Sequence, residues 1–218
     1  MYQGLIIEGI SGTGKTAVLE SLMNHPYIKN IPAMSRMVLT EHHTQRTLEL
    51  LEQRGLLEPS HHLSLMNDVI TFIESLHQRT VSREWDHLDF QEQDFLFFLE
   101  RFHLTHVFRF PHMSWDHVAD IDHRLKQLGT ILCLLTVSAE TLEKRLFSRR
   151  NECWLNYLKR YGNTKTAVVD SFMNTQQIAV NLGELSNLPL IRLDTTDLSA
   201  DDVADAVALK LGVAAATD

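Results

Sequence analysis

Cysteine, basic charge and long hydrophobic runs are all scarce in this 218-residue chain, and each shortage removes a class of protein. The two cysteines, Cys133 and Cys153, have no metal-ligand spacing and are too few for a disulfide framework, so a reduced, cytoplasmic setting is expected. A formal net charge of −8, with no basic stripe to offset it, argues against a nucleic-acid partner. It leaves room for a small anion held in one local basic pocket. No apolar run approaches membrane-spanning length, and "MYQGLIIEGI" has no basic region before its apolar residues. Neither a membrane partner nor a secretory signal is therefore expected. No repeat, low-complexity tract or linker interrupts the chain, and a single domain over residues 1–218 is expected.

What is present begins with "GLIIEGISGTGKTAVLESLM". Leu5, Ile6 and Ile7 suit a buried strand, and Ala17, Val18, Leu19, Leu22 and Met23 have helical spacing. Between them, Gly9-Ile10-Ser11-Gly12-Thr13-Gly14-Lys15-Thr16 matches the Walker A pattern G-x-x-x-x-G-K-[ST] in full. Glycines let successive backbone N–H groups point into one concavity, and the following helix adds free amides and its positive dipole end. Lys15 can reach terminal phosphates, and the Thr16 hydroxyl can ligate Mg²⁺. A nucleotide triphosphate, taken as ATP with Mg²⁺, is the expected ligand.

Five short apolar runs, near 4–8, 36–41, 94–99, 130–137 and 188–194, read as strands. "RMVLTE", "DFLFFLE" and "TILCLLTV" are nearly continuous in apolar residues, as in a parallel sheet covered on both faces. "TQRTLELLEQR", "SHHLSLMNDVITFIESLHQR", "SAETLEKRLFSRR" and "LSADDVADAVALKLG" read as helices, the last capped at Ser199-x-x-Asp202 and stopping at Gly212. The alternation implies an α/β fold with helices on both faces. Ligands of such sheets bind beyond the carboxyl ends of the strands. Glu41 and Glu100, each ending a strand, and Arg101 beside the latter therefore share the rim with the phosphate loop.

"GISGTGKT", "VLTEHH", "FLERFHLTH", "LTVSAETLEKRLFSRRNECWLNYL" and "LPLIRLDTTD", in this order, resemble the deoxynucleoside kinase and thymidylate kinase group of P-loop kinases. The resemblance covers most of the chain, although only the phosphate loop is a specific motif. It implies a P-loop kinase fold with a five-stranded parallel sheet and an arginine-rich lid, here at about 145–162. It also implies that Glu41 is the general base, that Glu100 helps hold Mg²⁺, and that Arg101 holds the acceptor near the base. The chain departs from both branches of the group. His42 stands where deoxynucleoside kinases usually have proline, and Phe102 replaces their serine. Thr40 replaces the arginine with which thymidylate kinases meet the acceptor phosphate; Arg46, from the next helix turn, could substitute for it. A neutral hydroxyl acceptor fits this set better than a phosphate, which calls for arginines.

Arg145 and Arg149 lie i, i+4, with Arg150 next, so one helix face presents them as a mobile lid over the phosphates. The twelve histidines, among them His42-His43, His61-His62, His103, His106, His112 and His117, have no metal spacing and are expected to be partly buried or on the surface. His103 and His106 are expected on a helix that could face the acceptor. Phe95, Phe97, Phe98, Trp85 and Phe90 are expected in the core. A small-molecule acceptor is the expected partner, with a homodimer open. A thymidylate-type kinase and a non-transferring switch or ATPase are the alternatives. Against the switch, Asp-x-x-Gly and Asn-Lys-x-Asp are missing from their GTPase positions, and "LFFLER" lacks a motor ATPase's Asp-Glu.

Overall fold

The computed structural model describes residues 4–31, 33, 35–81, 95–148 and 151–215, and the backbone alone for 79–81 and 212–215. The first strand, β1 (Gly4–Glu8), is buried along its whole length, as its unbroken aliphatic run requires. It lies at the centre of one parallel sheet with β2 (Ser35–Leu39), β3 (Phe95–Glu100), β4 (Thr130–Thr136) and β5 (Leu190–Asp194), in the order β2-β3-β1-β4-β5. The strand order reverses at β1, which opens a crevice at the carboxyl end of β1 and β3.

Helices cover both faces. Alternate residues of β1 point opposite ways. Leu5 and Ile7 pack with α1 (Lys15–Asn24) and α11 (Ala200–Ala215) through Val18, Leu22, Val203 and Val207. Ile6, Phe97 and Leu99 pack on the other face with Ile70 and Ile73 of α5 (Pro59–Val81) and Ile121 and Leu125 of α7 (Trp115–Gln127). Truncation of fully buried Phe97 to alanine should cost about 3–5 kcal/mol. A third cluster lies under the functional rim, where Leu142 and Leu146 of α8 (Ala139–Ser148) meet Leu158 of α9 (Glu152–Leu158) and Phe172 of α10 (Lys165–Leu185). The short α2 (Pro26–Asn30), α3 (Glu41–Thr44), α4 (Glu49–Gln53) and α6 (His103–Arg109) complete the chain.

Two helix expectations are corrected. The leucine-rich stretch from Thr44 is broken into the end of α3, a 3₁₀ turn over Arg46–Leu48, and α4. The break falls at Gln45, at φ −152° and ψ −45°, whose side-chain oxygen is held by Arg109 at 2.6 Å. α11 runs through Gly212 to Ala215, because one glycine costs a helix only about 1 kcal/mol. Phe95, Phe97 and Phe98 are core residues as expected, whereas Trp85 and Phe90 lie outside the described residues.

Candidate active site

The phosphate loop starts where β1 ends. Gly9 takes φ 141°, and a Cβ there would lie 2.5 Å from the Leu135 carbonyl of β4, so the loop leaves the sheet only with glycine at this point. Gly12 takes φ 95° against Leu142, and Gly14, also left-handed, precedes the first turn of α1. Lys15 is buried in this cradle, its Nζ donating to the Ile10 carbonyl at 2.7 Å. Burial, then the charge of Arg101, pushes its pKa well below the lysine range; an anion in the loop favours the charged form. Thr16 Oγ1 donates to Glu100 Oε1 at 2.6 Å, which puts a hydroxyl and a carboxylate side by side at the mouth of the loop.

Arg101 follows β3 at φ 56°, a left-handed backbone rare for a non-glycine residue. Two contacts hold it there. Its own N–H donates to the Ile7 carbonyl at 3.0 Å, and the next N–H, of Phe102, donates to Glu8 Oε1 at 2.8 Å. The turn aims the guanidinium across the rim, where Nε donates to Glu41 Oε2 at 2.7 Å and Nη2 to Ser11 Oγ at 3.1 Å. Glu41 opens α3, and its N–H faces Glu100 Oε2 at 3.4 Å. Burial disfavours ionisation of Glu41, but the charges of Arg101 and Lys15 outweigh it and hold the carboxyl below its ordinary pKa. Glu41, Glu100, Arg101 and the loop are thus brought together.

Two cavities meet at this cluster. One, about 340 Å³, is lined by Gly12, Gly14, Lys15, Thr16, Glu100 and Arg145. The other, about 550 Å³, is lined by residues that include Arg46, Glu49, Glu52, Arg109, Tyr157 and Arg160. Ser11, Glu41, Arg101 and Trp154 line both. Trp154 and Tyr157 stack at 5.2 Å between ring centres on the wall that α9 provides.

Other candidates are placed differently from expectation. Arg145 does not swing free: it donates to the Gly12 carbonyl at 3.2 Å, to Thr195 Oγ1 at 2.9 Å and to the Thr195 carbonyl. It braces the loop against the segment after β5. Arg149 and Arg150 lie outside the described residues. Arg46, the substitute clamp, is committed to Glu49 at 2.7 Å and stands 3.7 Å from Glu41.

His103 and His106 are fully buried instead of facing the acceptor. His103 pairs with Asp122 at 3.1 Å; that carboxyl, against burial, is held at about 2 by His103, Ser186 and Asn187. His106, His62 and His112 form a chain of rings. His106 Nε2 faces the Thr44 carbonyl at 2.8 Å and must donate. In the neutral ring its Nδ1 then accepts from His62 Nδ1 at 2.7 Å, and His62 Nε2 accepts from His112 Nε2 at 3.0 Å. Burial, then neighbouring positive charge, lowers His62 to about 3; burial also lowers His106 to about 4. No group of three or more His, Cys, Asp or Glu that could hold a metal occurs among the described residues.

Glu8 was not singled out from the sequence. Fully buried at the end of β1, it accepts from the N–H groups of Phe102 and Thr105 and from the Thr105 hydroxyl, so it caps the start of α6. A carboxylate closing an apolar strand just before the loop was the available signal.

The sheet order, the phosphate loop and the rim define a P-loop kinase fold. Solved structures match over nearly the whole chain. The YorR protein of Bacillus subtilis, in complex with phosphorylated GDP, has a TM-score of 0.59 at 14% identity, covering 99% of each chain. Shikimate kinase from Acinetobacter baumannii, in complex with shikimate, has a TM-score of 0.51 at 14% identity, covering 100% of this chain and 97% of its own. Thymidylate kinase from Candida albicans has a TM-score of 0.52 at 12% identity, covering 97% and 92%. At such identities the likeness is one of fold. No protein-family profile and no curated protein sequence matches the chain. Among the described residues, no helix is long and apolar enough to cross a membrane.

Proposed function

We propose that the protein is an ATP-dependent phosphotransferase that moves the γ-phosphoryl group of ATP to a hydroxyl of a small, nucleoside-like molecule. The observation that carries this reading is Glu41. Its carboxylate lines both cavities, is held ionised, and is gripped at 2.7 Å by an arginine that also touches the phosphate loop. A hydroxyl is a poor nucleophile at neutral pH and gains from a carboxylate that takes its proton as the new O–P bond forms. Arg101 aims that carboxylate. Lys15 and the amides of Gly9, Ser11, Gly12, Thr13 and Gly14 hold the donor phosphates, and Arg145 braces the loop. Arg149 and Arg150 complete the lid in this reading. Thr16 and Glu100, two adjacent oxygen donors, suit a hard cation such as Mg²⁺, which when bound would neutralise phosphate charge. Trp154 and Tyr157 offer planar surfaces to a ring-bearing acceptor. Two free cysteines fit a cytoplasmic setting.

A specific observation favours the second reading, a kinase that phosphorylates a phosphate, as thymidylate kinases do. The larger cavity is lined by Arg46, Arg101, Arg109 and Arg160. Transfer of label from γ-labelled ATP to a panel of nucleosides, nucleotides and other hydroxyl compounds tests both readings. Hydroxyl transfer that collapses in Glu41→Gln and survives in Arg46→Ala supports the first. The reverse pattern, with an anhydride product, supports the second. Release of inorganic phosphate alone would point to a switch or ATPase.

A further inference from the structure

The walls of the larger cavity carry three carboxylates and four guanidiniums, in a chain whose net charge is −8. Each carboxylate is already matched. Glu41 is held by Arg101 at 2.7 Å, Glu49 by Arg46 at 2.7 Å and Glu52 by Arg109 at 3.2 Å. Arg109 is further committed to Gln45 at 2.6 Å. The surplus cation is Arg160. It is exposed, has no carboxylate partner among the described residues, and lies 6.0 Å over the Tyr157 ring. Glu41 lines both cavities, whereas Arg160 lines only the larger one. The unmatched cation therefore belongs to the acceptor side.

We propose that the acceptor is a small hydroxylated anion, with its reacting hydroxyl at Glu41 and a carboxylate or phosphate monoester paired with Arg160. This rests on the hydroxyl-transfer reading above and replaces the neutral acceptor expected from the sequence with an anionic one. The reaction balances without another reagent. The acceptor oxygen bonds the γ-phosphorus, the bond from that phosphorus to the bridging oxygen breaks, ADP leaves, and Glu41 takes the proton. The anionic group does not react. A guanidinium matches two oxygens of either group, and the Tyr157 ring lies beside this one. The net positive charge of that wall also raises the local concentration of anions.

Cys153 lines the same cavity and is exposed, whereas burial pushes the Cys133 thiol up to about 12, so thiol labelling reports on the cavity. The test uses pairs of hydroxyl compounds, each a neutral member with its carboxylated and its phosphorylated relative. Protection of Cys153 from iodoacetamide reads binding, and label from γ-labelled ATP reads transfer. The anionic member should protect better and have the higher kcat/KM, by about tenfold. Arg160→Ala should remove that preference and Arg160→Lys restore part of it. The larger of the carboxylate and phosphate effects identifies the group. Equal protection by neutral and anionic members, or a preference that Arg160→Ala leaves intact, overturns the proposal. If neutral compounds are then still phosphorylated on a hydroxyl, the broader reading survives. Transfer to the anionic group itself, seen as an anhydride, overturns both.

Discussion

The smaller cavity takes much of its wall from one stretch, Ser11 to Ala17, while the larger draws, besides Ser11, on three separated stretches, 41–53, 101–109 and 151–160. The first is built around the phosphate loop and the start of α1, and the second is mostly charged and aromatic side chains. A phosphate presents the same oxygens in every nucleotide, so one backbone conformation binds it and one contiguous motif encodes it. An acceptor has its own shape. Its recognition is assembled from residues that meet only after folding.

Lys15→Ala should break the donor side most completely. We expect turnover to fall by about a thousandfold or more, with the far-UV circular dichroism retained; unchanged turnover would end the nucleotide reading. Glu41→Gln acts where the cavities meet. About a hundredfold loss of turnover is expected with little change in ATP affinity, and equal damage to both quantities would place Glu41 in donor binding instead.

Arg145→Ala sharpens the comparison from the donor side. Its bonds to the Gly12 carbonyl and Thr195 make it a brace, so the variant should lose about tenfold in turnover and about 1 kcal/mol in urea unfolding. Lost turnover at full stability would restore the freely moving lid.

Mild acid should act through the buried rings behind α3, where His106 holds the Thr44 carbonyl. His62 and His106 have folded pKa values of about 3 and 4, below the unfolded value of about 6.5. Their contribution to stability is complete above the unfolded value and is lost as pH falls through 6.5 towards 4. By pH 6 the loss should be about 1 kcal/mol per ring, read from urea unfolding at pH 7.5 and pH 6. His106→Asn should flatten that slope, and an equal slope in the variant would remove the rings as its cause.

The donor side was legible because its information is local. A run of aliphatic residues, glycines at set spacing and an amphipathic helix specify β1, the loop and α1 without reference to the rest of the chain. Glu41, Glu100 and Arg101 were legible at one remove, since strand ends in a parallel sheet converge. Glu8 was missed because its partners, Phe102 and Thr105, lie 94 and 97 residues away. The burial of His62 and His106 was missed for a related reason. A neutral imidazole can satisfy another imidazole, but only with fixed tautomers and a terminal carbonyl, which no sequence pattern displays. The gap falls at Gln45, which the distant Arg109 holds, and helical periodicity could not see it.

The central place of β1 also sets a timetable. This strand is made first, yet its partners are residues 97–100 and 130–134, so it emerges from the ribosome with neither neighbour in existence. At about 5–20 residues per second, its apolar backbone edges wait several seconds before the sheet can close around them. The glycine turn at its end is braced against β4 and against Thr195, beyond β5, so the phosphate loop settles only when most of the chain has been made. Nucleotide therefore cannot template the early stages of folding. It can only reward a sheet that is already built.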